Sequence, residues 1–489
     1  MTPIHAIVSR FSYPFSRKVM ENVLTKKPFE HCGIVSSGRT PEYFSSLDQS
    51  KQDWFCSSDI RGADYDNIDP NSLQPLDEPL IESMYKCEAV FMEMVHRLEW
   101  KTSISYDERR QMYFRHVRFW NDYLESNNIN LYLAAWNPHE IPDIVIYHLC
   151  KQKGIPIVYF HTSTVRDISF TEYDIDSSAA YLQDAYSDML QKYSDATDPL
   201  DVPLSVELEE RYQALIAPEG QKPPLESFRH STYWNKVLAQ IASQPFRFLA
   251  QVFGYCTPRG IGRFFHAWRR KRIFAEREQF YNAHAIDPDY DAQFVYLPLH
   301  FQPEASTVPM AGAFADQVLL TQLLSAHLPE GVLIYVKEHY KPSSWLCRTK
   351  ESYEQLLALP NVRLVSMDAS TFALREHCRA VATATGSAGF EALFRSKPVF
   401  LFGHRYYQYA KGIYCIHSTQ DMKEAAQAVF ENNEHPQLLE SRIFLKAMEE
   451  AGIHGVLNPW HRKVSHLSDE ENIQNNTDAI LQELNRLGH

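Results

Sequence analysis

Four short runs hold the residues best suited to gripping a negatively charged group, and all fall within 294–403. The run HFQPEAS, beginning at His300, supplies Gln302 and Glu304, which share a face if the segment is extended. Lys337-Glu338-His339 follows an apolar run, so Lys337 and His339 project together toward one anionic group while Glu338 points the other way. Thr383 to Ala392 reads TATGSAGFEA, a small-residue turn opening a helix. There Thr385, Gly386 and Ser387 let backbone N–H groups approach an anion at the positive end of the helix dipole. Ser387 suits the N-cap, and Glu391 lies one helical turn further on. Phe402-Gly403-His404 completes the set. Each run has a plainer reading as well: a polar loop, a solvated strand end, a capped helix packed closely through glycine.

The elements that must position these runs form an α/β pattern. Strands at FVYLP (from Phe294) and VLIYVK (from Val332) bracket a helix over 314–328. Further strands are expected over 362–364, 380–384 and 398–402, with a helix starting near Gly386. The four polar runs thus sit at the carboxyl ends of strands, where open α/β sheets bind ligands. In the first half, His31 to Ser36 (HCGIVS) reads as the first buried strand, and helices are expected over 80–100 and 107–126. INLYLAAW from Ile129, a helix over 141–153, the stop Gly154 and IPIVYF from Ile155 make a βαβ unit with parallel strands. Residues 1–285 are expected to form a first Rossmann-like lobe with a helical insertion over about 165–283. Residues 286–430 form a second lobe, and 431–489 form helices that pack back on the first.

The order and spacing of YLPLHFQPEAS, Asp316-Gln317, LPEGVLIYVKEH and ATATGSAGFEALFRSKPVFLFG resemble the nucleotide-binding half of bacterial capsule polysaccharide biosynthesis proteins, Kdo transferases among them. Asn137-Pro138-His139 resembles that family's Pro-His turn. The family carries Pro after the Lys-Glu-His triplet, and Tyr340 stands there in this chain. The resemblance implies a GT-B architecture, two Rossmann-like lobes facing across a cleft, with the donor nucleotide in the second lobe and the acceptor in the first. It implies an activated sugar donor, such as a CMP-linked keto-sugar acid, and a surface glycan or glycolipid acceptor. By position, Lys337 and His339 meet the donor phosphate, Gln302 lines the pocket, Ser387 caps the phosphate and Glu391 lies near the nucleotide. Such transfer needs stabilisation of a departing phosphate and a base for the acceptor hydroxyl. His139, Glu140 and Asp143, at the lip of the βαβ unit, are the candidates for that base, though acidic residues also favour a first helical turn for its own sake.

Composition narrows the partners. Against 48 basic side chains stand 61 acidic ones, a net charge of −13, which disfavours nonspecific nucleic-acid binding. The exception is Arg259 to Arg272, where Arg263, Arg269, Arg270, Lys271 and Arg272 interleave with Phe264, Phe265 and Trp268. It reads as an inter-lobe helix, or as a face for an anionic membrane. The eight cysteines are scattered without a CxxC pair and read as free thiols of a reducing compartment. Asp64/Asp66, Asp174/Asp176 and Asp287/Asp289 are Asp-x-Asp pairs in polar, surface-like sequence, so solvated acids are expected there and no metal. No signal peptide or spanning stretch is evident, so a cytoplasmic protein, in contact at most with the inner face of the membrane, is expected. A nucleotide-sugar epimerase of the same design and a noncatalytic assembly protein are the competing readings.

Overall fold

The computed structural model describes residues 2–38, 40–65, 68–69, 72–99, 103–218, 258–302, 304–339 and 348–489. Asp66, Tyr340, Cys256, Cys347 and the part of the expected helical insertion over 219–257 lie outside them, as do the side chains of Arg259, Arg263 and Phe264.

The first sheet has seven strands: β1 (His5–Ser9), β2 (His31–Ser36), β3 (Gln52–Cys56), β4 (Leu131–Ala134), β5 (Ile157–Thr162), β6 (Ile168–Glu172) and β13 (Ile453–His454). Their spatial order is β13-β6-β5-β4-β1-β2-β3. The five strands from β5 to β3 run parallel, while β6 and β13 are antiparallel to their neighbours. The strand at His31 is therefore second, not first. HAIVS precedes it and forms the centre of the sheet, with Ala6, Ile7 and Val8 fully buried as a strand covered on both faces requires.

The βαβ unit is built as its sequence dictates. The helix Ile141–Lys153 has Pro at its first turn and ends on Gly154 in the left-handed region (φ 68°), where a side chain would be strained. β4 and β5 then pair in parallel.

The second sheet contains β7 (Phe294–Pro298), β8 (Leu333–Lys337), β9 (Val362–Leu364), β10 (Ala380–Thr383), β11 (Val399–Leu401) and β12 (Ile413–Cys415). The order β12-β11-β10-β7-β8-β9 is parallel throughout. The chain adopts the two-lobed GT-B architecture.

The boundary between the lobes departs from position 285. Tyr281, near the end of the helix Pro258–His284, is fully buried in the core of the second lobe beside Val336 and Tyr353. The C-terminal stretch holds the helices Leu438–Ala451 and Asp469–Arg486 and also a strand. Phe444 of the first of these helices meets Tyr186 edge-on at 5.1 Å, within a seam that also takes Phe170 from the first lobe and Phe390 and Tyr406 from the second. Burying each such aromatic contributes roughly 1.5–3 kcal/mol, so this seam fixes how the lobes meet.

Candidate functional site

In each sheet the strand order reverses once, and the two reversals are equivalent. β1 lies between β4 and β2 in the first sheet, and β7 between β10 and β8 in the second. An open α/β sheet offers a crevice where loops leave such a pair in opposite directions. The residues beyond these four carboxyl ends are Arg10, Asn137 to Glu140, His300 and Thr383 to Ser387.

His300 ties the second crevice together. Its Nε2 lies 2.9 Å from Thr383 Oγ1 and accepts from the Thr385 N–H at 3.4 Å, while Thr383 Oγ1 accepts from the Gly386 N–H at 3.0 Å. Burial pulls the His300 pKa down to about 3, helped by Arg348, Arg405 and His339, so the ring is neutral and its Nε2 serves as an acceptor. A methyl group on Gly386 would stand 2.8 Å from Thr383 Oγ1 and 3.0 Å from His300 Cε1, which explains the glycine by close approach. The same holds for Gly403, where a Cβ would meet the Ala311 backbone at 2.8 Å.

Several expectations for this lobe need correction. Two of the turn's N–H groups, those of Thr385 and Gly386, are engaged within the protein. Gly386, not Ser387, is the N-cap of the helix Ser387–Leu393, and Ser387 stands exposed at its first position. The Thr385 hydroxyl is buried and donates to Ser306 O. Glu391 pairs with the buried Arg375 at 2.7 Å, fastening two helices. Lys337 and His339 part company because β8 ends at Lys337. The Lys337 ammonium donates to Ala369 O at 2.5 Å, beyond β9, while the His339 ring lies 5.9 Å from Phe301, beyond β7.

Glu338 does point away, as alternation requires, into a buried ion pair with Arg348 at 3.0 Å, to which Tyr353 also donates. Arg348 further donates to His300 O at 2.5 Å, so this pair braces the loop beyond β7. Gln302 accepts from Gln317 at 3.4 Å, and Gln317 Oε1 accepts from the His300 N–H at 2.6 Å. Glu304 is exposed on the same loop.

That loop crosses to the first lobe. Arg97 donates through Nη2 to Val308 O at 2.6 Å and through Nη1 to His139 O at 2.5 Å. Asn137 Nδ2 meets Met310 Sδ at 3.4 Å, and Arg405 meets the same sulfur at 3.6 Å. The two crevices therefore face one another across a few side chains.

The three base candidates separate by their partners. Asp143 is sealed in: it accepts from Arg10 Nε at 2.8 Å and from Ser9 Oγ at 2.8 Å, with 2% of its side chain exposed. It orders the strand end and is withdrawn as a base. Glu140 pairs with Arg61 at 2.9 Å. Burial pushes its pKa up, but Arg10, Arg61, His139 and Arg97 outweigh that and hold the carboxyl below its usual range.

His139 differs. Its Nδ1 lies 2.7 Å from Asn137 O, which fixes the proton on Nδ1 and leaves Nε2 as the basic nitrogen. Burial lowers its pKa, against the pull of Glu140 and the Asn137 carbonyl, so the ring is neutral at physiological pH.

Residues 267–445, from within the helix Pro258–His284 to within the helix Leu438–Ala451, match the family described as capsule polysaccharide biosynthesis protein. No curated protein matches the chain in sequence. Among solved structures, the chain is similar to the KpsC beta Kdo 2,7 transferase of Thermosulfurimonas dismutans. That match has 11% identity and TM-score 0.34, covering 79% of this chain and 95% of that one. The beta Kdo 2,4 transferase of the same protein matches with 13% identity and TM-score 0.28, over 65% and 79%. A UDP-GlcNAc 2-epimerase from Neisseria meningitidis, bound to UDP-GlcNAc, matches with 12% identity and TM-score 0.22, over 99% and 100%. Similarities this remote fix neither donor nor acceptor.

Site residues outside the sequence expectations are His300, Arg348, Arg405, Arg97 and Arg10. The signal for His300 is its place directly after the apolar run FVYLPL. Among the described residues no group of three or more His, Cys, Asp or Glu side chains is placed to hold a metal ion. No helix among them is long and apolar enough to cross a membrane. The six described cysteines are free.

Proposed function

We propose that this chain is a glycosyltransferase that moves a sugar from a nucleotide-activated donor, held at the His300 crevice of the second lobe, to an acceptor hydroxyl held at the His139 crevice of the first. The observation that carries it is the meeting of the two strand-reversal crevices, with a neutral, tautomer-fixed histidine on the acceptor side. His139 Nε2 takes the proton from the acceptor hydroxyl as the glycosidic bond forms and the nucleotide phosphate departs. Arg405 and His339, both close enough to influence His300, bring cationic or hydrogen-bonding groups to the departing phosphate. Ser387, exposed at the head of its helix, adds a hydroxyl.

The donor proposed is a CMP-linked keto-sugar acid such as CMP-Kdo, and the acceptor a surface polysaccharide or glycolipid. Titration calorimetry with CMP, UDP and GDP, followed by turnover with and without acceptor glycan, tests the reading. Binding of a nucleotide with acceptor-dependent release of that nucleotide supports transfer. Consumption of the sugar nucleotide without acceptor would make the chain an epimerase, and failure to bind any nucleotide would make it a noncatalytic member.

A further inference from the structure

The acceptor crevice holds three guanidinium groups whose hydrogen-bond donors the protein does not all satisfy. Arg10 follows β1, Arg61 follows the short helix after β3, and Arg97 reaches in from the helical segment before β4. All three act on Glu140, and Arg10 and Arg97 act on His139 as well. Asp143 and Glu140 answer them with hydrogen bonds, and Glu304 acts on Arg97 through its charge. Asp143 is saturated by Arg10 Nε and Ser9, and Glu140 Oε2 is taken by Arg61. Arg97 spends both Nη groups on the neutral carbonyls of His139 and Val308. Burial accordingly lowers its pKa; Glu140 and Glu304 oppose the shift and Arg61 adds to it.

Among the described residues, Arg10 Nη2, Arg61 Nε and Arg97 Nε are buried and find no hydrogen-bond acceptor. Arg10 is 7% exposed. A buried N–H without a partner is costly, and folded proteins leave few of them. One such donor on each of three guanidinium groups that all act on Glu140 points to an acceptor atom supplied from outside. A planar guanidinium fork matches a carboxylate or phosphate better than any neutral group.

We propose that Arg10, Arg61 and Arg97 form an oxyanion-binding subsite that seizes a carboxylate or phosphate on the acceptor and thereby sets its hydroxyl against His139 Nε2. The acceptor is then itself acidic: an acidic sugar or a phosphate-bearing carrier. This rests on the glycosyltransferase reading for the word acceptor, but the subsite stands on its own geometry.

The test is calorimetric titration of the full chain with D-glucuronate, inorganic phosphate and uncharged glucose, each with and without CMP. D-glucuronate or phosphate is expected to bind with and without CMP, and glucose is expected not to bind. Arg61→Gln, at a partly exposed position, weakens the anion about tenfold, the loss of one charged hydrogen bond, and Arg61→Lys recovers part of it. CMP affinity is the same in all three proteins. Preference for D-glucuronate identifies a sugar acid as the source of the charge, and preference for phosphate a phosphate-bearing carrier. If neither anion binds, or Arg61→Gln binds both as well as the parent, the subsite is overturned whatever CMP does. If anion binding depends on Arg61 but no nucleotide binds, the subsite holds and the donor assignment falls.

Discussion

His300 Nε2 and Thr383 Oγ1, 83 positions apart in sequence, lie 2.9 Å from each other and close the crevice between β7 and β10. The Thr383 hydroxyl donates to the ring and accepts from Gly386, so one side chain sets both the histidine and the turn.

Thr383→Val removes both bonds while keeping the shape, and leaves the half-buried Gly386 N–H without its acceptor. A destabilisation of about 1–3 kcal/mol is expected. Gly386→Ala meets Thr383 and His300 head-on and is expected to cost a similar ~1–3 kcal/mol. Thermal melts read the loss, and calorimetry with CMP is expected to give weaker nucleotide binding in both variants.

His139→Ala leaves the fold intact and removes the base, with kcat falling about 10²–10⁴-fold and nucleotide affinity unchanged. Because the ring's pKa is lowered by burial, the parent's activity is expected to hold through neutral pH and fall only on acidification below the ordinary histidine range. A rate profile with a midpoint above pH 6.5 on its acidic limb would exclude His139 as the titrating group.

Acid is expected to unfold the protein through buried neutral histidines. Burial lowers His116 and His300 to about 3 and His148 to about 4. The unfolded chain binds these protons near pH 6.5 and the folded one does not, so their stabilisation is complete above about pH 6.5 and drains away as pH falls through the range down to 3–4. Glu172, raised to about 7 by burial, works in the opposite sense between 4.5 and 7, since its folded form holds a proton the unfolded form has lost. The histidines outnumber it. Melting temperature is expected to drop steadily from pH 6.5 to 4, and His148→Gln, away from the crevices, is expected to flatten that slope.

The helix Pro258–His284 exposes Phe265 and Trp268 beside Arg269, Lys271 and Arg272, a face suited to an anionic bilayer. Sedimentation with vesicles containing phosphatidylglycerol is expected to pull down the parent at low salt. Trp268→Ala and Arg272→Gln are expected to remain largely in the supernatant, and equal recovery of parent and variants would remove the membrane contact.

What the sequence made legible follows from how local the signal was. β4, the helix Ile141–Lys153 and β5 were readable because an apolar run, a helix-length segment and Gly154 follow one another without interruption. The strands of the second lobe were readable for the same reason. β1 was missed because HAIVS runs on into RFSYPF without the Ser-Gly turn that closes HCGIVS, and β6 because ISFTE is short and opens an acidic, Tyr-rich stretch.

In the site, strand alternation placed Glu338 correctly but misled for Lys337 and His339, since the strand stops between them. Arg10 and Arg97 carry no spacing signal at all. Their meeting at His139 depends on β1 lying beside β4, a relation set by the sheet and not by any local pattern.

The last strand of the first sheet, β13, comes from the far side of the second lobe in the chain. During synthesis β6 must therefore wait as a bare edge until some 280 further residues have left the ribosome, and an uncovered edge is a template for wrong partners. The half made first is finished last, so a chain cut short before Ile453 is expected to carry a complete second lobe and an unfinished, aggregation-prone first one.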